Sequence, residues 1–335
     1  MIKVGIVGAS GYTGLELVKM LLNHPGFELK YLATTTGDTT IEQLHPSLED
    51  VITLPVEKAD TKGVATHCQL VFLALPHKAS MGFAKDLIEQ GVKVVDLSAD
   101  YRLELDTYEQ HYCEHEDKEH LTNAVYGLIE YYREEIKSAS LVAGPGCYPT
   151  ATLLGLLPFI PYIDTDAPLF VDAKSGVSGA GKKLSDSTHF VNINDNIFAY
   201  NPLKHRHQPE IAEKIEKIHG VKMSVNFVPH LIPATRGELI SVYATLKEDI
   251  DPLELLRKHY ADDRFIRIRE TPVSIKNTAG THFCDIFAAK NGNGLFINIA
   301  IDNLLRGASS QALVAANLMC GYHEGMGIPT IAYAP

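Results

Sequence analysis

Residues 2–7, Ile-Lys-Val-Gly-Ile-Val, read as a buried strand, and residues 15–22, Leu-Glu-Leu-Val-Lys-Met-Leu-Leu, carry apolar side chains at helical spacing. Between them lies Gly8-Ala-Ser-Gly11-Tyr-Thr-Gly14, so the chain opens as strand, glycine turn, helix. Further strands are expected at residues 27–33, 69–75 and 92–97, with a helical run over 77–90. This alternation predicts an α/β domain with a Rossmann-type, doubly wound parallel sheet. After Thr150 the pattern changes. Pro158 and Pro161 interrupt apolar runs, and strand patterns at 169–173, 223–228, 238–245 and 295–301 follow with few long helical runs between them. The expectation is an α+β substrate or dimerisation domain with a mostly antiparallel sheet. The amphipathic run over 302–318 reads as a strand-to-helix exit whose helix returns to the first domain. The expected division is 1–148 with 303–335 for the first domain and 149–302 for the second.

With 335 residues there is chain enough for two such domains, and 45% hydrophobic with 21% charged residues is the balance of a globular protein. No apolar run reaches the roughly 18 residues of a membrane span. The amino terminus runs directly into a strand without a leader pattern, so a cytoplasmic protein with no membrane partner is expected. The five cysteines are odd in number and widely spaced, which points to reduced thiols rather than a disulfide framework or a metal site. A formal net charge of −11 argues against nucleic acid as a partner.

The glycine turn suggests a dinucleotide site. Glycines at Gly8, Gly11 and Gly14 let the backbone approach a pyrophosphate, and the helix N-terminus after Ser10, with Tyr12 and Thr13 in its first turn, offers N–H donors. The spacing is G-x-x-G-x-x-G rather than the commoner G-x-G-x-x-G, so the signal depends on its strand-to-helix setting. At the end of the second strand stand Thr34, Thr35 and Thr36, where an NAD-binding unit usually places an acid. Hydroxyls there favour NADP, with Asp38 near enough to keep NAD open. Cys147 sits between a short strand and an apolar helical run, where a helix N-terminus would favour its thiolate; the competing reading is a buried structural cysteine. Arg102, just beyond a strand end, reads as a carboxylate or phosphate clamp or as an ordinary surface arginine. The loop 175–183 reads as an anion cradle built from backbone N–H groups or as a flexible connection. His111, Cys113, His115 and His120 match no familiar metal spacing and read as an exposed excursion.

Taken together, GASGYTG at 8–14, AGPGCYPTA at 143–151, SGVSGAGKK at 175–183, HRHQPEI at 205–211 and DNLLRGASSQA at 302–312 resemble the N-acetyl-gamma-glutamyl-phosphate reductase family of arginine biosynthesis, within the aspartate-semialdehyde dehydrogenase-like superfamily. The resemblance spans nearly the whole chain. It implies an NADPH-dependent reductase of a small-molecule acyl phosphate, working through a cysteine thioester. Cys147 would be the nucleophile, and a histidine of the pair His205 and His207 the acid/base. If the pair lies in an extended segment with a helix beginning at Pro209, both rings share one face; His207 is then the better placed acid/base and His205 a holder of the anionic substrate. Asn303 would lie by the nicotinamide, and Arg102 with Ser175, Gly176, Ser178 and Gly179 by the substrate. The family usually carries lysine where this chain has Arg306. A homo-oligomer, dimer or tetramer, is expected. The alternatives are a reductase of N-acetyl-aminoadipyl phosphate or aspartyl phosphate and, in another class, a non-catalytic dinucleotide-binding sensor.

Overall fold

The computed structural model describes residues 1–333, and the glycine turn follows the strand at which the strand order of the first sheet reverses. The amino-terminal part supplies strands β1 (Ile2–Val7), β2 (Phe27–Thr34), β3 (Thr39–Thr40), β4 (Pro55–Lys58), β5 (Leu70–Leu73), β6 (Lys93–Asp96), β7 (Val125–Tyr126) and β8 (Leu141–Ala143). Their order is β3-β4-β2-β1-β5-β6-β8-β7, parallel throughout except for β3 at the edge. From β1 the chain moves outward through β2 to β4, then returns to β5 and proceeds the other way. Ligands bind beyond the carboxyl ends of strands at such a switch point. All four residues of β5 are buried, as a central strand covered on both faces requires.

Helices α1 (Tyr12–Leu22), α2 (Ile41–Leu44), α3 (Thr61–His67), α4 (Ser80–Glu89), α5 (Leu105–His111), α6 (Lys118–Asn123) and α7 (Ile129–Ser138) complete this part. Leu17, Val18 and Leu21 of α1 are buried, each a side chain that contributes about 1.5–3 kcal/mol by leaving water.

The second part begins with α8 (Cys147–Leu156), which is buried from Tyr148 onward and apolar on every side, as a helix enclosed by other elements must be. It packs on a sheet formed by β9 (Leu169–Gly176), β10 (Phe198–Ala199), β11 (Val225–Ile232), β12 (Glu238–Thr245), β13 (Ile266–Ile268), β14 (Cys284–Asn291) and β15 (Gly294–Ile301), in the order β10-β11-β9-β12-β15-β14-β13. The β9–β11 and β13–β14 pairs are parallel and the other four antiparallel, so this sheet is mixed but mostly antiparallel. Gly155 lets α8 approach closely, since a Cβ there would lie 2.5 Å from Ile299. Helices α9 (Phe190–Ile193), α10 (His207–His219) and α11 (Pro252–His259) flank the sheet. A π turn, Leu305–Ser309, then leads into α12 (Ser310–Met319), which packs against α1, α7 and β6.

Two compact units result: Met1–Pro145 with Ala308–Pro329, and Gly146–Gly307 with the described part of Thr330–Pro335. The divisions differ from those expected by a few residues, and residues 303–307 and 330–333 group with the second unit rather than the first. The causes are local. Asn303 accepts the Gly237 N–H at 2.7 Å and donates to Ser178 at 3.0 Å, while Tyr333 donates its N–H to the Ala279 carbonyl at 2.9 Å. Among the described residues no helix is long and apolar enough to cross a membrane.

Candidate active site

Cys147 is the first residue of α8, after Gly146 in extended conformation. A thiol at this position faces the partial positive charge of the helix N-terminus, which favours thiolate. Two glycines shape its surroundings. A Cβ at Gly307 would lie 2.6 Å from Cys147 Cβ, and one at Gly146 would lie 2.6 Å from His207 Nε2. The His207 ring therefore rests on the residue that precedes Cys147. Glu210, buried in the first turn of α10, accepts the Gly146 N–H at 2.9 Å and so ties the start of α10 to the start of α8.

The histidine pair departs from the expected geometry. Residues 205–209 are not an extended segment: Arg206 has helical backbone angles and α10 begins at His207, two residues before Pro209. His205 Nδ1 accepts the His207 N–H at 3.1 Å, meeting one of the first-turn donors that a helix leaves without an internal partner. The rings still meet, with centroids 4.7 Å apart, because a turn and a helix start bring them together. Tyr148, Tyr200 and Phe227 surround His205, and the two tyrosine hydroxyls lie 3.0 Å apart. Burial, with the Arg206 charge adding to it, pushes the His205 pKa down to about 4. At neutral pH His205 is uncharged with its proton on Nε2, and it can meet an anion only as a neutral donor.

The loop after β9 also differs from its expected use. The N–H groups of Gly176, Val177 and Ser178 donate to the carbonyls of Gly237, Ala234 and Thr235, so they do not form an open anion cradle. Ser175 is buried and donates to the Gly176 carbonyl, and a Cβ at Gly179 would strike the Ser175 hydroxyl at 2.7 Å. Asn303 uses both ends of its amide on Gly237 and Ser178, a tie between two turns rather than an amide presented to a ligand. Arg306 is fully buried and donates to His282 Nε2 at 2.6 Å; burial and then the Arg306 charge hold His282 neutral.

A residue that the sequence reading overlooked is Glu238, the first residue of β12, with 0% exposure. It is in phase with Ile240 and Val242, both core positions, and a carboxylate at a core-facing position of an apolar strand was the available signal. Burial pushes its pKa up to about 8. The Cys147 thiol pulls it back, the Asp302 charge raises it, and the Ser175 hydroxyl lowers it again.

In the first unit, the Gly8 and Ala9 N–H groups both donate to the Ala33 carbonyl, at 2.8 and 3.1 Å, which pins the turn to the end of β2. Gly8 has φ +99°, and Cβ atoms at Gly8 and Gly14 would lie 2.2 Å from the Ala74 carbonyl oxygen and 2.5 Å from the Gly8 carbonyl oxygen. Gly11 caps α1, whose first turn carries Tyr12, Thr13 and Gly14 just after Ser10. A backbone free of side chains at a helix N-terminus fits a dinucleotide pyrophosphate. Thr35 and Thr36 are exposed at the end of β2, whereas Thr34 is buried and accepts the Gly37 N–H at 3.0 Å. Lys58 pairs with Thr34 across β4 and is exposed, a cation beside the threonines that strand pairing alone brings there.

Arg102 is buried, with Nε donating to the Gly144 carbonyl at 2.6 Å and Nη2 to the Leu97 carbonyl at 2.8 Å. It fastens the ends of β6 and β8, three residues before Cys147, instead of standing as a surface clamp. In the excursion, His115 uses Nε2 on the Asp100 carbonyl and Nδ1 on the Asp117 N–H, and His120 pairs with Asp117.

Residues 3–139 match the semialdehyde dehydrogenase NAD binding domain and residues 147–303 the semialdehyde dehydrogenase dimerisation domain. Among solved structures, aspartate semialdehyde dehydrogenase II of Vibrio cholerae superposes with a TM-score of 0.73, covering 96% of this chain and 98% of that one at 17% identity. The aspartate semialdehyde dehydrogenase of Candida albicans solved with NADP gives 0.69, over 96% and 98% at 15% identity. At these identities the likeness concerns the fold. The chain is 84% identical to the N-acetyl-gamma-glutamyl-phosphate reductase of Sulfurovum sp. (strain NBC37-1) over 100% of both chains. It is 63% identical to that of Wolinella succinogenes over 100% of this chain and 99% of the other. With this identity along its whole length, the chain belongs to the N-acetyl-gamma-glutamyl-phosphate reductase family.

Proposed function

We propose that this protein reduces N-acetyl-gamma-glutamyl phosphate to N-acetylglutamate semialdehyde and phosphate with NADPH, through a thioester on Cys147. The observation that carries the reading is Cys147 at the N-terminus of a buried helix, with His207 resting on the preceding glycine. The thiolate attacks the acyl phosphate, phosphate leaves with the C–O electron pair, and a thioester remains, whose carbonyl accepts hydride more readily than a carboxylate. NADPH, when bound, supplies that hydride. His207 protonates the resulting oxyanion and takes the proton back as the thiohemiacetal collapses and expels the thiolate. His205 contributes its neutral Nε2–H to the substrate, Arg102 fixes the backbone that leads to Cys147, Ser178 offers a hydroxyl at the loop, and buried Ser175 with Gly176 and Gly179 shapes that loop beside the substrate. Asn303 holds the Ser178 and Gly237 turns in register. Reduction of NADP by purified protein, given phosphate and N-acetylglutamate semialdehyde, tests the reading. A stronger response to N-acetyl-aminoadipate semialdehyde or aspartate semialdehyde would replace it with the corresponding alternative, and no turnover with any of them would favour a dinucleotide sensor.

The turn at Gly8–Gly14 holds the pyrophosphate, and Thr35 with Lys58 receives the 2′-phosphate. NADPH should therefore exceed NADH in kcat/KM by roughly 10-fold or more, since a phosphate met by hydroxyls and a cation contributes charge-assisted hydrogen bonds. Equal constants for the two cofactors would remove this assignment.

The open face of the second sheet supports a homodimer. Phe170 and Tyr243 are 52% and 46% exposed, and Tyr243 pairs in register with both Phe170 and Phe296, so three aromatic side chains form a row across β9, β12 and β15. A matched dimerisation domain accords with this face as the contact. Tyr243→Glu should shift the species seen by sedimentation to a monomer, and an unchanged mass would place any contact elsewhere.

A further inference from the structure

We propose that Glu238 is the proton acceptor for Cys147, so that the nucleophile and this buried carboxyl share one proton before attack. The inference rests on the reading of Cys147 as the acyl-accepting nucleophile. Glu238 has 0% exposure, and neither of its carboxyl oxygens meets an aligned hydrogen-bond donor within the protein. The β12 register sets it opposite Ser175 on one side and Ile301 on the other. The Cys147 thiol and the Ser175 hydroxyl, which also donates to the Gly176 carbonyl, both lie against the carboxyl, and of the two the thiol is the stronger acid.

Asp302 lies near enough to repel charge on Glu238, and its own carboxyl is engaged by Arg236 at 2.8 Å and by the N–H groups of Gly280, Leu304 and Leu305. Tyr148 and Tyr200 sense both Glu238 and Cys147, and burial holds both phenols protonated. His205, beyond Tyr148, is neutral.

Burial raises the carboxyl well above the ordinary carboxylate range, which makes it a stronger base toward the thiol proton than an exposed carboxylate would be. In the transfer the S–H bond breaks as an O–H bond forms on Glu238. The sulfur pair then forms the C–S bond while the acyl C–O bond breaks toward phosphate. When the thiohemiacetal collapses, the C–S pair returns to sulfur and the proton on Glu238 is again available to it. His207 handles the hydroxyl proton, so the two acid/base duties fall on different groups.

Two coupled acids lose their protons in two macroscopic steps, the second displaced to higher pH by repulsion between the charges. As the pH rises the pair loses one proton first, the remaining one being shared between sulfur and carboxyl. The test is the rate of iodoacetamide alkylation at Cys147, located by peptide mass spectrometry, measured on the full-length protein from neutral to alkaline pH. The expected result is a two-step rise in the wild type and a single step in Glu238→Gln, with turnover at neutral pH reduced roughly 10-fold or more in the variant. A single step in the wild type, with the same midpoint as in Glu238→Gln, overturns the proposal. If Glu238→Gln does not fold, infrared titration of the protonated carboxyl band decides. Two steps in the wild type and one in Cys147→Ser support the shared proton, and identical titrations overturn it. Failure to label Cys147 at any pH would instead overturn the nucleophile reading, and this inference with it.

Discussion

Cys147→Ser should lower turnover by about 1,000-fold or more while leaving dinucleotide affinity within roughly twofold of the wild type. Two physical differences act in the same direction. A serine hydroxyl is not ionised near neutral pH even at a helix N-terminus, so attack on the acyl phosphate loses its nucleophile. Any ester that did form would hold its carbonyl in stronger resonance than a thioester and accept hydride poorly. The substitution is nearly isosteric and sits where Gly307 presses on the Cys147 Cβ, which serine retains, so α8 should keep its position. The glycine turn belongs to a different unit, which is why nucleotide binding should survive. The measurements are phosphate-dependent reduction of NADP and a fluorescence titration with NADPH. Residual turnover above a few per cent would remove Cys147 from the role of nucleophile.

His207→Asn is expected to cost roughly 100-fold in kcat, about 2.7 kcal/mol of transition-state stabilisation, and to remove one limb of the pH profile. The ring lies against Gly146, at the start of α10, and Glu210 on the same helix holds the Gly146 N–H, so the imidazole is fixed to the backbone beside Cys147. Asparagine keeps polarity and helix packing but carries no proton that titrates near neutrality. His205→Asn should act differently. Because His205 is neutral over the working range, its loss should raise the KM for substrate without removing a limb of the profile. The opposite pattern in the two variants would exchange the roles, and wild-type behaviour in both would place the acid/base elsewhere.

The sequence by itself determined what depends on neighbours along the chain. The alternation of apolar runs and turns specified a parallel sheet followed by a mostly antiparallel one. The glycines at 8, 11 and 14 specified a turn that only a side-chain-free backbone can make, and the strand-to-helix passage at 141–156 specified Cys147 at a helix start. These are local facts of period, φ and capping, legible in a window of about ten residues. What the tertiary structure decided depends on groups far apart in sequence. The loop after β9 has the composition of an anion cradle, yet its N–H groups belong to the 234–237 turn, which no local pattern announces. Arg102 stands at a sheet end as expected, but the carbonyls of Leu97 and Gly144 claim its guanidinium. The two histidines meet because a helix begins at His207 with His205 as its acceptor, not because a strand alternates. Glu238 looks like one acid at the start of a strand; only the pairing of β12 with β9 sets it beside Ser175, and only burial there raises an ordinary carboxylate so far above its usual range.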